Sequence, residues 1–187
     1  MTPRWIVDTG PLVALLSKRD GYHGWALETF AGVNPPALTC EAVLAEAWHL
    51  LSGTAKGQTA LLDLIAAGTL AVDFALIAEL APVRRLVARY RDRPMSLADA
   101  CLVRLAELFD DAAVITLDRD FSVYRKHGRQ TIPQVSPGAD GRLEIEIAPT
   151  PMHLKRRGKG VVAVALSAEM PALTSELVRD TLERVRR

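Results

Sequence analysis

Five carboxylates are placed where they could work together on a phosphodiester. Asp8 follows the apolar run Trp5-Ile6-Val7 and precedes Thr9-Gly10-Pro11. Asp118 and Asp120 follow the apolar run Val114-Ile115-Thr116-Leu117. Asp99 sits in Ser96-Leu97-Ala98-Asp99-Ala100, and Glu46 in Leu44-Ala45-Glu46. Carboxylates that share a site raise one another's pKa unless a cation joins them. Ligands made only of oxygen suit Mg²⁺ or Mn²⁺. Such ions activate water and stabilise the leaving oxygen of a phosphodiester.

Each carboxylate also has a purely structural account. Asp8 can cap the helix that Pro11 begins. Ser96-x-x-Asp99 has the form of a capping box, with Asp in place of Glu or Gln. Asp118 can cap a short helix, and Glu46 can be a solvated helical residue. Glu41 and Glu46 project roughly 140° apart on a helix, so both cannot serve one site. Singly, each residue favours capping or solvation. Jointly, two carboxylates end strands and two lie near helix N-termini, and that pattern favours a shared site.

The elements that must position these residues alternate. Short apolar runs bounded by Gly and Pro read as buried strands at 5–7, 37–39, 70–74 and 112–117. Helical periodicity covers 22–30, 40–51, 58–67, 76–90 and 96–108, with Pro82 either in the first turn of its helix or breaking it. A short helix contains Phe121, Val123 and Tyr124 and stops at Gly128. Thr131 to Val135 reads as a final edge strand, since Pro133 cannot donate to a ladder. Strands alternating with helices imply an α/β sandwich with a largely parallel sheet. A strand that ends in Asp8 puts it at the carboxyl edge, where open α/β sheets bind ligands.

Composition narrows the class. The 187 residues are 49% hydrophobic with a formal net charge of +1. Bulk charge therefore does not announce a polyanionic partner. Cys40 and Cys101 are far apart and suggest neither a disulfide framework nor a zinc site. No apolar run approaches a membrane span, and the first residues make a poor signal peptide, so a soluble cytoplasmic protein is expected. There is no Gly-x-x-x-x-Gly-Lys, no Gly-x-Ser-x-Gly and no histidine pair at zinc spacing. His49, His127 and His153 stand alone, and His23 reads as structural or exposed.

A boundary is expected at Pro137-Gly138, dividing 1–137 from 138–187. Arg142 to Ile147 alternates as a half-buried strand. Val161 to Leu166 reads as another, with Gly158-Lys159-Gly160 able to turn a hairpin into it. Thr174 to Arg187 has helical spacing and an N-cap in Thr174. Lys155, Arg156, Arg157 and Lys159 form a basic knot. Two strands and one helix of this size bury little alone and need a surface to lie on.

Ile6-Val7-Asp8-Thr9, Leu44-Ala45-Glu46, Ser96-Leu97-Ala98-Asp99-Ala100 and Ile115-Thr116-Leu117-Asp118-Arg119-Asp120-Phe121 together resemble the PIN-domain ribonucleases, in particular the VapC-type toxins of toxin–antitoxin pairs. The resemblance covers roughly Met1 to Pro137. It implies a three-layer α/β/α sandwich and a Mg²⁺- or Mn²⁺-dependent endoribonuclease. Asp8, Glu46, Asp99 and Asp118 would form the metal-binding quartet, with Asp120 auxiliary or itself the fourth ligand. Thr116 would orient a carboxylate or water. RNA is the implied substrate and a homodimer the implied assembly.

The segment Ala139–Pro149 with Leu173–Arg179 resembles the toxin-binding part of an AbrB-type VapB antitoxin. The chain would then be a toxin–antitoxin fusion, natural or engineered, whose partner is a VapB-type antitoxin or its own tail. The tail could add a strand to a sheet edge and lay a helix in a groove, on its own domain or on a second copy. Arg156, Arg157, Arg184, Arg186 and Arg187 are the candidates to enter the acidic site. They are also explained as solvated charges, the last three complementing a helix dipole. The competing functions are a catalytically silent nucleic-acid-binding or assembly module and a nuclease acting on DNA.

Overall fold

The structure is a computed structural model. It describes residues 4–93, 95–138, 143–146, 152–157 and 160–165, with side chains described through residue 138. Two compact units divide the chain: Pro3–Glu146, and a second that contains Ile147–Arg187.

The first unit is built on a six-stranded sheet in the order β3-β2-β1-β4-β7-β8. Its strands are β1 (Trp5–Val7), β2 (Ala37–Thr39), β3 (Leu70–Val72), β4 (Ala113–Ile115), β7 (Gln134–Pro137) and β8 (Leu143–Glu146). Every pairing is parallel except β7 with β8. The connecting helices are α1 (Thr9–Leu16), α2 (His23–Ala31), α3 (Glu41–Leu50), α4 (Gly57–Ala66), α5 (Leu80–Arg89) and α6 (Leu97–Leu108). The steps β1 to β2 to β3 run one way, and the step to β4 returns across β1. Right-handed crossovers then put α1–α4 on one face and α5 and α6 on the other. This is the expected three-layer α/β/α sandwich.

The central strands are short and buried on both faces, which is why they read as continuous apolar runs. Ile6, Val7, Val114 and Ile115 are fully buried. Leu12 and Ala14 of α1, Val43 and Ala47 of α3 and Leu102, Val103 and Leu105 of α6 close over them. Strand direction reverses its spatial progress between β1 and β4. Their carboxyl ends therefore flank the crevice that open α/β sheets use for ligands.

Three expectations from the sequence are corrected. The helix expected from Leu76 begins at Leu80; residues 76–79 are turn, and Pro82 sits in the first helical turn, where its missing N–H costs nothing. The strand expected over 131–135 is divided at Pro133. Gln130–Thr131 (β6) pairs with Arg125–Lys126 (β5) in a small antiparallel hairpin, and β7 starts after the proline. The Pro133 carbonyl still accepts from Val114 N at 2.8 Å, so only the donor side of the ladder is lost there. Nor is β7 an edge, since β8 covers it in the register Val135↔Ile145.

In the second unit, Met152–Arg157 (β9) pairs antiparallel with Gly160–Ala165 (β10). The strand expected from Val161 is present with a partner strand that the sequence pattern does not announce, while Gly158 and Lys159 of the expected turn lie outside the described residues. The expected terminal helix over 174–187 lies outside the described residues. Among the described residues, no helix is long and apolar enough to cross a membrane.

Candidate acidic site

Three helix starts meet at the crevice. Asp8 leaves β1 in extended conformation and caps α1: its Oδ1 accepts from Thr9 N at 2.6 Å. Its backbone N–H continues the β1–β4 ladder onto the Ile115 carbonyl at 3.0 Å. Thr116, fully buried just past β4, donates its hydroxyl to Asp8 Oδ2 at 2.7 Å and accepts from Asp118 N at 2.9 Å. One threonine thus ties the ends of the two central strands together. Asp118 caps the 3₁₀ turn Arg119–Ser122 by accepting from Asp120 N at 2.8 Å.

Asp99 forms the reciprocal capping box anticipated from the sequence. Ser96 Oγ accepts from Asp99 N at 3.0 Å, and Asp99 Oδ2 accepts from Ser96 N at 2.8 Å. Capping and convergence therefore coexist: the residues that start α1, α6 and the 3₁₀ turn are the ones whose charges meet. Asp8 and Asp99 are each only 7% exposed, whereas Glu46 and Asp118 are exposed and Asp120 is half-buried.

The electrostatics follow from that burial. Desolvation pushes the Asp8 carboxyl up to about 6, against the opposing hydrogen bonds from Thr116 and Thr9. The negative charges of Asp99 and Asp118 add to the rise. Asp99 is raised mainly by desolvation, with Asp118 and Glu46 adding to it. No Lys, Arg or His among the described residues pairs with any of these carboxylates.

Two residues at the site were not singled out by sequence reasoning. Thr9 Oγ1 donates to Glu46 Oε2 at 3.0 Å, linking α3 to the residue beside Asp8. Its adjacency to Asp8 was the available signal. Tyr124 is fully buried, and its hydroxyl lies near Asp99 without a well-formed hydrogen bond. Burial and the surrounding charges of Asp99, Asp120 and Asp118 raise its pKa. Its ring packs edge-on against Phe121 and Tyr90. Nothing local to its sequence marks it.

Of the tail candidates, Arg156 and Arg157 lie in β9. Arg184, Arg186 and Arg187 lie outside the described residues.

Among the described residues, no three His, Cys, Asp or Glu side chains are drawn close enough to enclose an ion. The donor chemistry nevertheless fits a hard divalent cation. The donors on offer are all carboxylates, two of which, Asp8 and Asp99, are buried, and their mutual repulsion has no cationic partner among the described residues.

Comparison with known proteins bears on the family and the fold. Ribonuclease VapC26 of Mycobacterium tuberculosis (strain ATCC 25618 / H37Rv) is 28% identical over 126 residues, covering 66% of this chain and 93% of that protein. The solved structure of M. tuberculosis VapC20, a Sarcin-Ricin loop cleaving toxin, shares the fold with a TM-score of 0.59 at 24% identity, over 64% of this chain and 93% of that one. Antitoxin VapB40 of M. tuberculosis is 52% identical over 48 residues, 26% of this chain. The chain spans 58% of the length of that antitoxin. The PIN domain profile matches residues 5–127. That span holds every carboxylate from Asp8 to Asp120, and by it the chain belongs to the PIN-domain family.

Proposed function

We propose that the chain is a toxin–antitoxin endoribonuclease that hydrolyses RNA phosphodiester bonds with Mg²⁺ or Mn²⁺. The observation that carries this is the convergence of the charges of Asp8, Asp99 and Asp118 beside the carboxyl ends of β1 and β4, the first two buried and none paired with a Lys, Arg or His among the described residues. Asp8, Asp99, Asp118 and Glu46 would hold the ion, with Asp120 within reach as an alternative to Asp118. When bound, the ion would supply an activated water and charge stabilisation for the leaving oxygen.

The chain's own residues prepare that site. Thr116 fixes the Asp8 carboxylate through Oδ2 and the Asp118 backbone through its own oxygen. Ser96 fixes Asp99 through Oδ2. Thr9 turns Glu46 toward the same crevice. The helix N-termini behind Asp8 and Asp99 favour the ionised carboxylates against the cost of burial.

We further propose that residues 138–187 are the antitoxin-like part. Their length suits the 48-residue likeness to VapB40. This segment restrains the nuclease through an arginine, with Arg156, Arg157, Arg184, Arg186 and Arg187 as candidates, and the assembly is a cytoplasmic homodimer.

The test is digestion of single-stranded RNA and DNA with Mn²⁺ by the full chain, by a chain ending at Glu146, and by Asp8→Asn. RNA cleavage that rises on truncation and disappears in Asp8→Asn is expected. Cleavage of DNA alone, or retained activity in Asp8→Asn, would reject the proposal. A second reading, a silent PIN-like binding module, is favoured by the carboxylates not being drawn together around a common point. It expects RNA binding without turnover, insensitive to changes at Asp8.

A further inference from the structure

A buried acidic centre repels the polyanion it is proposed to cut. Something close by must bring a phosphate backbone within reach. The described residues offer one candidate, on the α5 side of the site.

Residues 84–93 contain Arg84, Arg85, Arg89, Arg91 and Arg93 against the single acid Asp92. α5 buries Val83 and Leu86 and leaves Arg84, Arg85 and Arg89 exposed. Arg85 and Arg89 are four residues apart and share a face, about 6 Å apart along the axis. Like charges at that spacing destabilise a helix, so the arrangement is explained better by an anion than by the helix itself.

The strip continues onto the β5–β6 hairpin. Gly128, with φ +77°, leaves room for the Arg89 guanidinium; a Cβ at that position would lie 2.8 Å from Nη1. This sets Arg89 over the hairpin turn, next to Arg129 in sequence. Arg125 is anchored at the other end of the hairpin: its Nη1 donates to the Ser122 and Tyr124 carbonyls, each at 2.8 Å. Its backbone N–H donates to Tyr90 Oη at 2.9 Å, joining the hairpin to the end of α5.

The strip is also close to the carboxylates. Tyr90 packs on Tyr124 with ring centroids 5.0 Å apart. Tyr124 in turn feels the charges of Asp99, Asp118 and Asp120. One aromatic layer therefore separates the arginines from the acidic crevice. Among the described residues, Arg84, Arg85, Arg89, Arg93, Arg125 and Arg129 form no ion pair.

Resting on the nuclease reading above, we propose that Arg85, Arg89, Arg125 and Arg129, flanked by Arg84 and Arg93, bind the phosphate backbone of single-stranded RNA and guide it into the acidic crevice. An acidic protein segment would meet the same charges. A flexible polyanion fits better because the cations follow a line along a helix and across a hairpin toward a second feature that acts on phosphodiesters.

The experiment uses the full chain with EDTA, so that binding is read without turnover. A fluorescein-labelled 12-nucleotide single-stranded RNA of mixed sequence is titrated by anisotropy over a range of KCl concentrations. Each phosphate contact contributes about 0.7 to the slope of log K against log salt. The triple variant Arg85→Gln/Arg89→Gln/Arg129→Gln is expected to lower the slope by about 2 and the affinity by about 10²-fold at 0.1 M salt. Should it fail to fold, Arg84→Gln/Arg85→Gln alters only exposed helical positions and should lower the slope by about 1.4. Hydrolysis of bis(p-nitrophenyl) phosphate with Mn²⁺, a substrate too small to reach the strip, should be unchanged in both. An unchanged slope overturns the inference. So does a slope lost only in Arg156→Gln/Arg157→Gln, or lost binding of poly-glutamate with RNA binding intact. If Asp8→Asn still hydrolyses the small diester, the nuclease reading fails while the RNA titration still judges the strip.

Discussion

Asp8 and Asp99 differ from Glu46 and Asp118 in almost every physical respect. The first two are buried, sit at the starts of α1 and α6 and have charges raised in cost by desolvation. The second two are exposed, and each accepts a single hydrogen bond, from Thr9 Oγ1 and Asp120 N. The inner pair is fixed by the fold before anything binds. The outer pair can move by side-chain rotation. The contrast suggests a division of labour in which the inner carboxylates set position and the outer ones close around what arrives. It also explains how a site can be electrostatically convergent without a formed ion cage.

The largest effect that could break this contrast is catalytic. Asp8→Asn or Asp99→Asn should lower Mn²⁺-dependent RNA cleavage by about 10²–10³-fold, the usual cost of losing one preorganised electrostatic group. Glu46→Gln should cost only about 10-fold, on the scale of a supporting contact. Equal losses in kcat/KM for the three would erase the distinction.

The next effect is on stability. The Asp8 carboxyl titrates near 6 in the folded chain against 3.8 unfolded. Below the unfolded value both states are protonated and there is no penalty. As pH rises from about 4 to above 6, the unfolded state ionises first and the folded state loses up to about 3 kcal/mol. Thermal melts in EDTA should therefore show Asp8→Asn gaining on the parent chain across that window. Mn²⁺ at pH 7.5 should raise the parent's Tm more than the variant's. A pH-independent difference would place Asp8 in a more solvated setting than its burial indicates.

A smaller effect isolates the cap. Ser96→Ala removes one half of the Asp99 box and should cost about 1 kcal/mol, or about 3 °C in Tm. It should also weaken Mn²⁺ binding measured by calorimetry, since Asp99 loses the lock that fixes α6 around it. The smallest expected change is Thr9→Val, which frees Glu46 and should alter stability by no more than about 1 kcal/mol. An effect there as large as that of Asp99→Asn would show that the outer pair is no less fixed than the inner.

The sequence made the alternation of strands and helices legible, because buried parallel strands need uninterrupted apolar runs and covering helices need one apolar face. It also exposed Asp8, Asp99 and Asp118, since each stands at an element boundary. It missed where turns compete with helices: Leu76 to Glu79 fit the helical period yet form a turn before Pro82. It missed β9 because Met152 to Arg157 has no clean alternation and its charges read as a solvated knot. Thr9 and Tyr124 escaped for a different reason. Their importance comes from what lies across the fold, from Glu46 in one case and Asp99 in the other, and no local spacing encodes that.

The pairing of β8 with β7 has a consequence for how such a chain could be divided or inherited. The register runs from Gln134↔Glu146 to Pro137↔Leu143, inside the sheet that carries the acidic site. A cut at 137 would leave the N–H and C=O groups of β7 as a bare ladder, and bare edges recruit strands from other molecules. A cut after 146 leaves β7 paired on both sides, with β8 as the edge of the sheet. Recombination or proteolysis at the first point would strip β7 of a partner, and at the second would keep all six strands of the sheet, although only nine residues separate them.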